Sequence, residues 1–205
     1  MNYSGVIKVD GVDISKVSPL VLRQRCFIAI PQENYHTPEE SLYINIDPFG
    51  EAPRQLVFDA LIKTRLWGHF INAPNNERQS PLKIDNILST TLSCLPAMSK
   101  GQLQLLNIAR ALVRNGMCSY STGATAKPVI LLDEATSSMD SEMEQAMDRL
   151  IDEEFVSKGH TVIAVTHRLD ATYRLDNAAK RPRLVEEAIL SLQAGKVTKI
   201  SQNSI

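Results

Sequence analysis

Three short apolar runs bracket a long stretch of helical character in this chain. Residues 26–30, 129–132 and 161–165 are near-continuous apolar segments of four or five residues. Runs of that length read as strands, and one that stays apolar throughout reads as a strand buried on both faces. Residues 6–9 alternate and are β-branched, so they predict a further strand, followed by a turn at Asp10-Gly11. Ser18-Pro19 reads as a helix cap with proline in the first turn, opening a short helix to Arg25. From Glu33 to about Gly116 the apolar period becomes helical. Pro53 opens a segment with Leu56, Ala60 and Leu61 at helical spacing, and residues 66–71 carry the only tryptophan, Trp67, which is expected to pack inside. Residues 73–86 are polar with two prolines and predict a surface loop. Ser99 is placed to cap a helix on which Leu103, Leu106, Ala109, Arg110 and Val113 recur with a period of about 3.6 residues. Residues 119–126 are small and polar and predict an exposed loop. Ser141 is expected to cap a helix through Phe155, and residues 188–191 and 197–200 around Ala194-Gly195 predict a closing hairpin.

The run at 129–132 ends in two adjacent carboxylates, Asp133 and Glu134. Open α/β sheets bind ligands beyond the carboxyl ends of their strands. At such a place one acid can hold Mg²⁺, usually through water, and the next can orient or deprotonate a water that attacks a phosphate. Acids also favour helix starts for electrostatic reasons, and for an isolated Asp-Glu pair that plainer reading wins.

The pair has company. Ser99-Lys-Gly-Gln102 precedes the long helical segment, Thr166-His-Arg168 follows the run at 161–165, and Ile30-Pro-Gln32 ends the run at 26–30. In this order the segments resemble the nucleotide-binding domain of ABC transporters, over about residues 5–196. Ser99–Gln102 is similar to the signature motif, 129–134 to Walker B, 137–140 to the D-loop, His167 to the switch histidine and Gln32 to the Q-loop glutamine. Asn45-Ile-Asp-Pro-Phe-Gly50 resembles a segment of the multidrug-resistance-associated (C-type) subfamily, and the acid at 134 resembles that subfamily's second, hydrolytic domain. The signature differs from the family's usual Leu-Ser-Gly-Gly-Gln at Met98 and Lys100.

The resemblance implies an α/β fold: an ABC ATPase core of the P-loop NTPase kind, with a mostly parallel sheet and a helical subdomain. It implies core parts at 1–32 and 117–205 and the helical subdomain at 33–116. It implies ATP and Mg²⁺ as cofactors. Asp133 and Gln32 would attend the metal, with Glu134, Gln32 and His167 acting on the lytic water. Ser99, Lys100, Gly101, Gln102 and Asp140 would face ATP held by a second nucleotide-binding domain. The expected partners are that domain and the transmembrane domains of a transporter, so the chain would sit at the cytoplasmic side of a membrane while being soluble itself. No Gly-x-x-x-x-Gly-Lys-Ser/Thr loop occurs in the sequence, although the family places one upstream of the segment that begins this chain. The chain is therefore expected to be a nucleotide-binding domain lacking its P-loop strand and helix, and inactive by itself. Two other readings remain open: a non-catalytic module that pairs with an intact domain, and a soluble ABC-type ATPase of chromosome maintenance or translation.

Composition narrows the alternatives only slightly. With 205 residues, 43% hydrophobic and 22% charged, the chain can bury one substantial core. A formal net charge of −1 and the absence of a basic run argue against nucleic acid. Cys26, Cys94 and Cys118 lack metal spacing and suit a reducing compartment. No apolar run reaches the ~20 residues a membrane-spanning helix needs, and the first residues do not read as a signal peptide.

Overall fold

The computed structural model describes residues 5–71, 81–122, 127–135, 139, 141–166, 187–193 and 196–203. They divide into two compact units, residues 1–165 and 166–205. In the first, β1 (Lys8–Val9) and β2 (Val12–Asp13) form an antiparallel ladder across the Asp10-Gly11 turn. It is shorter than the strand expected at 6–9, and Val6 and Ile7 are exposed. Then come α1 (Pro19–Val21), which runs on as a wider turn over Leu22–Cys26, and β3 (Phe27–Ile30). Ser18 precedes that helix without a side-chain capping bond.

The sheet that positions the candidate chemistry is parallel, in the order β3, β4 (Val129–Asp133), β5 (Val162–Val165). Its register pairs Ile28 with Ile130 and Ile130 with Val162, so the three carboxyl ends finish close together. Ile28, Ile30, Ile130 and Leu132 share one face and are buried. The opposite face is more open than the apolar runs suggested: Ala29 is exposed, Leu131 is half-buried and Ile163 is 50% exposed. The strand expected at 161–165 is present as β5 but is the most open of the three, with Val165 also 54% exposed; the burial on both faces expected for 129–132 is incomplete at Leu131. Among the described residues β5 pairs only with β4.

Between β3 and β4 lies the helical region: α2 (Leu42–Ile46), α3 (Arg54–Lys63), α4 (Leu66–Ile71), α5 (Pro81–Ser89) and α6 (Lys100–Thr122). Residues 33–41 precede it without helix. Trp67 is fully buried and meets Phe58 edge to face at 4.8 Å. Helix α6 packs on both β3 and α3. Gly116 permits the approach to α3, since a Cβ there would lie 2.7 Å from Leu56 Cδ1. After β4, α7 (Ser141–Ile151) and a wider turn over Asp152–Val156 supply Met147, Ile151 and Phe155 to the core.

Two sequence expectations need correction. The polar stretch at 73–86 is not wholly loop, because its second part begins α5. Proline is tolerated in a first helical turn, and Ile84 and Leu88, four residues apart, both turn inward. Residues 119–122 are likewise the last turn of α6 rather than a loop. The Ser119 hydroxyl donates back to the Asn115 carbonyl at 3.2 Å, a bond that lets serine sit within a helix. Residues 123–126 lie outside the described residues.

The second unit contains an antiparallel hairpin of β6 (Glu187–Gln193) and β7 (Lys196–Asn203), with a register irregularity at Ser191/Leu192. This is the hairpin that the sequence predicted, lengthened at both ends.

Candidate functional site at the carboxyl edge of the parallel sheet

Asp133 is the last residue of β4 and is exposed. Glu134 follows in a left-handed conformation, φ 45°, which non-glycine residues adopt rarely and at a cost of order 1–3 kcal/mol. Its amide donates to the Val165 carbonyl at 3.0 Å, which ties the turn to the end of β5. Gln32, two residues beyond β3, donates from Nε2 to Glu134 Oε2 at 3.0 Å. The ends of all three strands thus meet at one place, with an exposed carboxylate, a half-buried carboxylate and an amide. The oxygens of Asp133, Glu134 and Gln32 make a hard donor set. Among the described residues no three His, Cys, Asp or Glu side chains converge. That pattern fits Mg²⁺ held by one or two carboxylates plus phosphate oxygens, and does not fit a cage built from protein alone. His167 and Asp140 lie outside the described residues.

Helix α6 opens with a reciprocal cap. Ser99 Oγ accepts from the Gln102 amide at 3.2 Å, and Gln102 Oε1 accepts from the Ser99 amide at 2.8 Å. Gln102 Nε2 also donates to His69 Nδ1 at 3.1 Å, and the other ring nitrogen of His69 lies 3.1 Å from the Pro96 carbonyl. A carbonyl only accepts, so Nε2 of His69 carries the proton and Nδ1 receives the Gln102 bond. Ser99 and Gln102 therefore consume each other's amides. The Lys100 and Gly101 amides at the same helix end have no acceptor among the described residues. Free amides at the start of a 23-residue helix face an anion favourably.

A polar ladder that the sequence reading missed connects these two places. Gln104 Nε2 donates to the Pro31 carbonyl at 2.9 Å, and Asn107 Nδ2 donates to Asn34 Oδ1 at 3.0 Å. These bonds hold the segment that carries Gln32 from either side. One turn further, Arg110 donates to the Asn45 carbonyl at 2.5 Å and to Asn107 Oδ1 at 2.7 Å. Burial lowers the pKa of its guanidinium, which stays charged. Arg114 donates to the Arg23 carbonyl at 2.7 Å. It sits within α6, which runs on to Thr122. The signal was present in the sequence: polar residues at 104, 107 and 110, three apart, interrupt the otherwise apolar stretch 103–113.

The Asn45–Gly50 segment also has a physical account. Buried Asn45 accepts from the Thr37 amide at 2.8 Å and donates to the carbonyls of Thr37 and Ser41 at 2.8 and 3.0 Å. Asp47 Oδ2 accepts from the Ala52 amide at 2.6 Å, and Gly50 supplies a positive φ of 69°. Phe49 is left 61% exposed, with the Arg114 guanidinium 5.4 Å from its ring centre.

A three-stranded parallel sheet with a helical region between its first and second strands is the architecture of an ABC ATPase core. A bacterial Atm1-family ABC exporter with ATP bound superposes on 97% of this chain and 28% of its own, with a TM-score of 0.65 and 24% identity, a likeness of fold. No family model matches the chain. Its curated relatives are ABC transporters. The ABC transporter atnG of Emericella nidulans is 33% identical over 172 residues, which is 84% of this chain and 9% of that protein. ABC multidrug transporter B of Aspergillus fumigatus is 29% identical over 196 residues, 96% of this chain and 11% of that protein. The chain thus spans about a tenth of the length of these relatives. Among the described residues no helix is long and apolar enough to cross a membrane.

Proposed function

We propose that this chain is part of the ATP-driven engine of an ABC exporter, resembling the second nucleotide-binding domain of the C-type subfamily. The observation that carries this reading is the 3.0 Å bond between Gln32 and Glu134, beside Asp133, where the carboxyl ends of three parallel strands meet. In this reading Asp133 and the amide oxygen of Gln32 would hold Mg²⁺, which supplies charge neutralisation at the phosphates. Glu134 accepts a proton from the attacking water, and Gln32 fixes the carboxylate's orientation. His167 is assigned to the same water, and Asp140 to the seam with a second domain. Ser99, Lys100, Gly101 and Gln102 face ATP held by that second domain, supported by the two unengaged amides at the start of α6.

The parts divide as 1–32 and 117–205 for the core and 33–116 for the helical subdomain. Phe49 offers an apolar foothold to the transmembrane domains through which the assembly sits on the cytoplasmic side of a membrane. It lies in a groove of about 410 Å³ with Arg25 and Arg114. The 205 residues contain no glycine-rich phosphate loop. Without its cradle of amides and its lysine, ATP is held weakly by these residues alone. The purified 205-residue protein therefore shows no measurable ATP hydrolysis in a phosphate-release assay. Turnover that disappears in Glu134→Gln would overturn that expectation. The capped start of α6 independently favours a second reading, in which the chain donates only its signature face to an intact domain and performs no hydrolysis.

A further inference from the structure

A cavity of about 310 Å³ lies between α3, the later turns of α6 and the segment around His160. That volume is at the lower end of the range of small-molecule sites, about 300–1,000 Å³. Its charge is uneven. Lys63 and Lys158 both donate to one oxygen of Glu154, at 2.7 and 2.6 Å. Burial pushes the Glu154 carboxyl up, but the bonds from the two lysines outweigh it and leave the pKa lowered, so the carboxylate is ionised at neutral pH. Lys127, the third ammonium of the lining, has no hydrogen-bond or ion-pair partner among the described residues. It folds over Gly159, where a Cβ would lie 2.7 Å from Nζ. Asp59, the other acid of the lining, is exposed and accepts from Gln55 at 2.8 Å.

The neutral wall has an orphan. His160 Nδ1 lies 3.0 Å from the Pro128 carbonyl and so carries the proton, which makes Nε2 an acceptor. Asn115 Nδ2 donates to that Nε2 at 3.4 Å. This orientation leaves Asn115 Oδ1 buried without a donor among the described residues. A buried acceptor without a partner is costly, and a ligand hydroxyl or a water would relieve it.

We propose that this cavity binds a phosphate ester that also carries a free hydroxyl. Lys127, with the N–H bonds that Lys63 and Lys158 keep beyond Glu154, suits the tetrahedrally disposed oxygens of a phosphate ester better than the planar pair of a carboxylate, and the hydroxyl supplies the donor that Asn115 Oδ1 lacks. The site lies apart from Gln32 and Glu134 and does not rest on the ATPase reading. The same chemistry is presented by a soluble polyol phosphate and by a phosphatidylglycerol headgroup.

The test uses the 205-residue protein at low salt. Inorganic phosphate and glycerol 3-phosphate are titrated by calorimetry, and sedimentation is measured with phosphatidylcholine vesicles with and without phosphatidylglycerol. Glycerol 3-phosphate binds saturably, and Lys127→Ala weakens it about three- to fivefold, the upper part of the range for solvent-exposed charge pairs. Asn115→Ala removes a preference of about fivefold for glycerol 3-phosphate over inorganic phosphate, as the loss of one hydrogen bond requires. Lys16→Ala, at an exposed lysine outside the cavity lining, changes neither. Binding of the soluble ester assigns the site to a soluble ligand, and binding of phosphatidylglycerol vesicles alone, lost in Lys127→Ala, assigns it to a headgroup. No saturable binding of either, or equal weakening by Lys127→Ala and Lys16→Ala, overturns the proposal.

Discussion

Glu134→Gln lowers ATP turnover by about 10²–10⁴-fold in a chimera that carries residues 5–203 in place of the matching segment of a fungal relative, the usual contribution of a positioned general base. The substitution keeps the shape of the side chain and its oxygen facing Gln32 Nε2, 3.0 Å away in the present structure. What it removes is the ability to take a proton from water. The loss is therefore expected in the catalytic rate, with the affinity for Mg-ATP retained. Gln32→Ala takes away the amide that holds the carboxylate, leaves the carboxylate itself, and should cost less. Phosphate release and nucleotide occupancy measured on the same preparations separate the two effects. A chimera whose turnover is unaffected by Glu134→Gln would remove Glu134 from the chemistry.

Trp67→Ala destabilises the chain by about 3–5 kcal/mol, the cost of emptying a large aromatic site in a packed core. Trp67 is fully buried in the helical region and loses its edge-to-face partner Phe58 on truncation. Its indole nitrogen has no acceptor among the described residues, so Trp67→Phe forfeits volume but no hydrogen bond made by them and should cost much less. Because Trp67 is the only tryptophan, the comparison is made by circular dichroism in urea. Equal midpoints for the wild type and Trp67→Ala would contradict this account of the core.

The sheet and the site at its edge were legible because each rests on a local pattern. Apolar runs ending in Pro31-Gln32 and Asp133-Glu134 fix the strands and where their polar tips lie. Ser99 three residues before Gln102 announces the reciprocal cap directly. What was not legible depended on distant partners. Gln104 and Asn107 look like ordinary helix residues until Pro31 and Asn34, 73 positions away, are placed against them. The exposure of Ile163 and Val165 is likewise not visible in the run at 161–165, since an apolar strand reads the same whether its second face is covered or open. The helix at 81–89 was hidden by a proline and an asparagine that count as loop signals in sequence yet are harmless in a first turn or on an outer face.

In the proposed function the start of α6 and the Gln32–Glu134 cluster belong to an interface closed by ATP. Sedimentation of the 205-residue protein with an intact, hydrolysis-deficient ABC nucleotide-binding domain tests this most directly. A complex that forms with Mg-ATP, is absent with ADP, and weakens at least about tenfold in Ser99→Ala is predicted, since a tenfold change is about 1.4 kcal/mol and charge-assisted bonds to phosphate supply that much. No complex with Mg-ATP, or one indifferent to nucleotide and to Ser99, would contradict it.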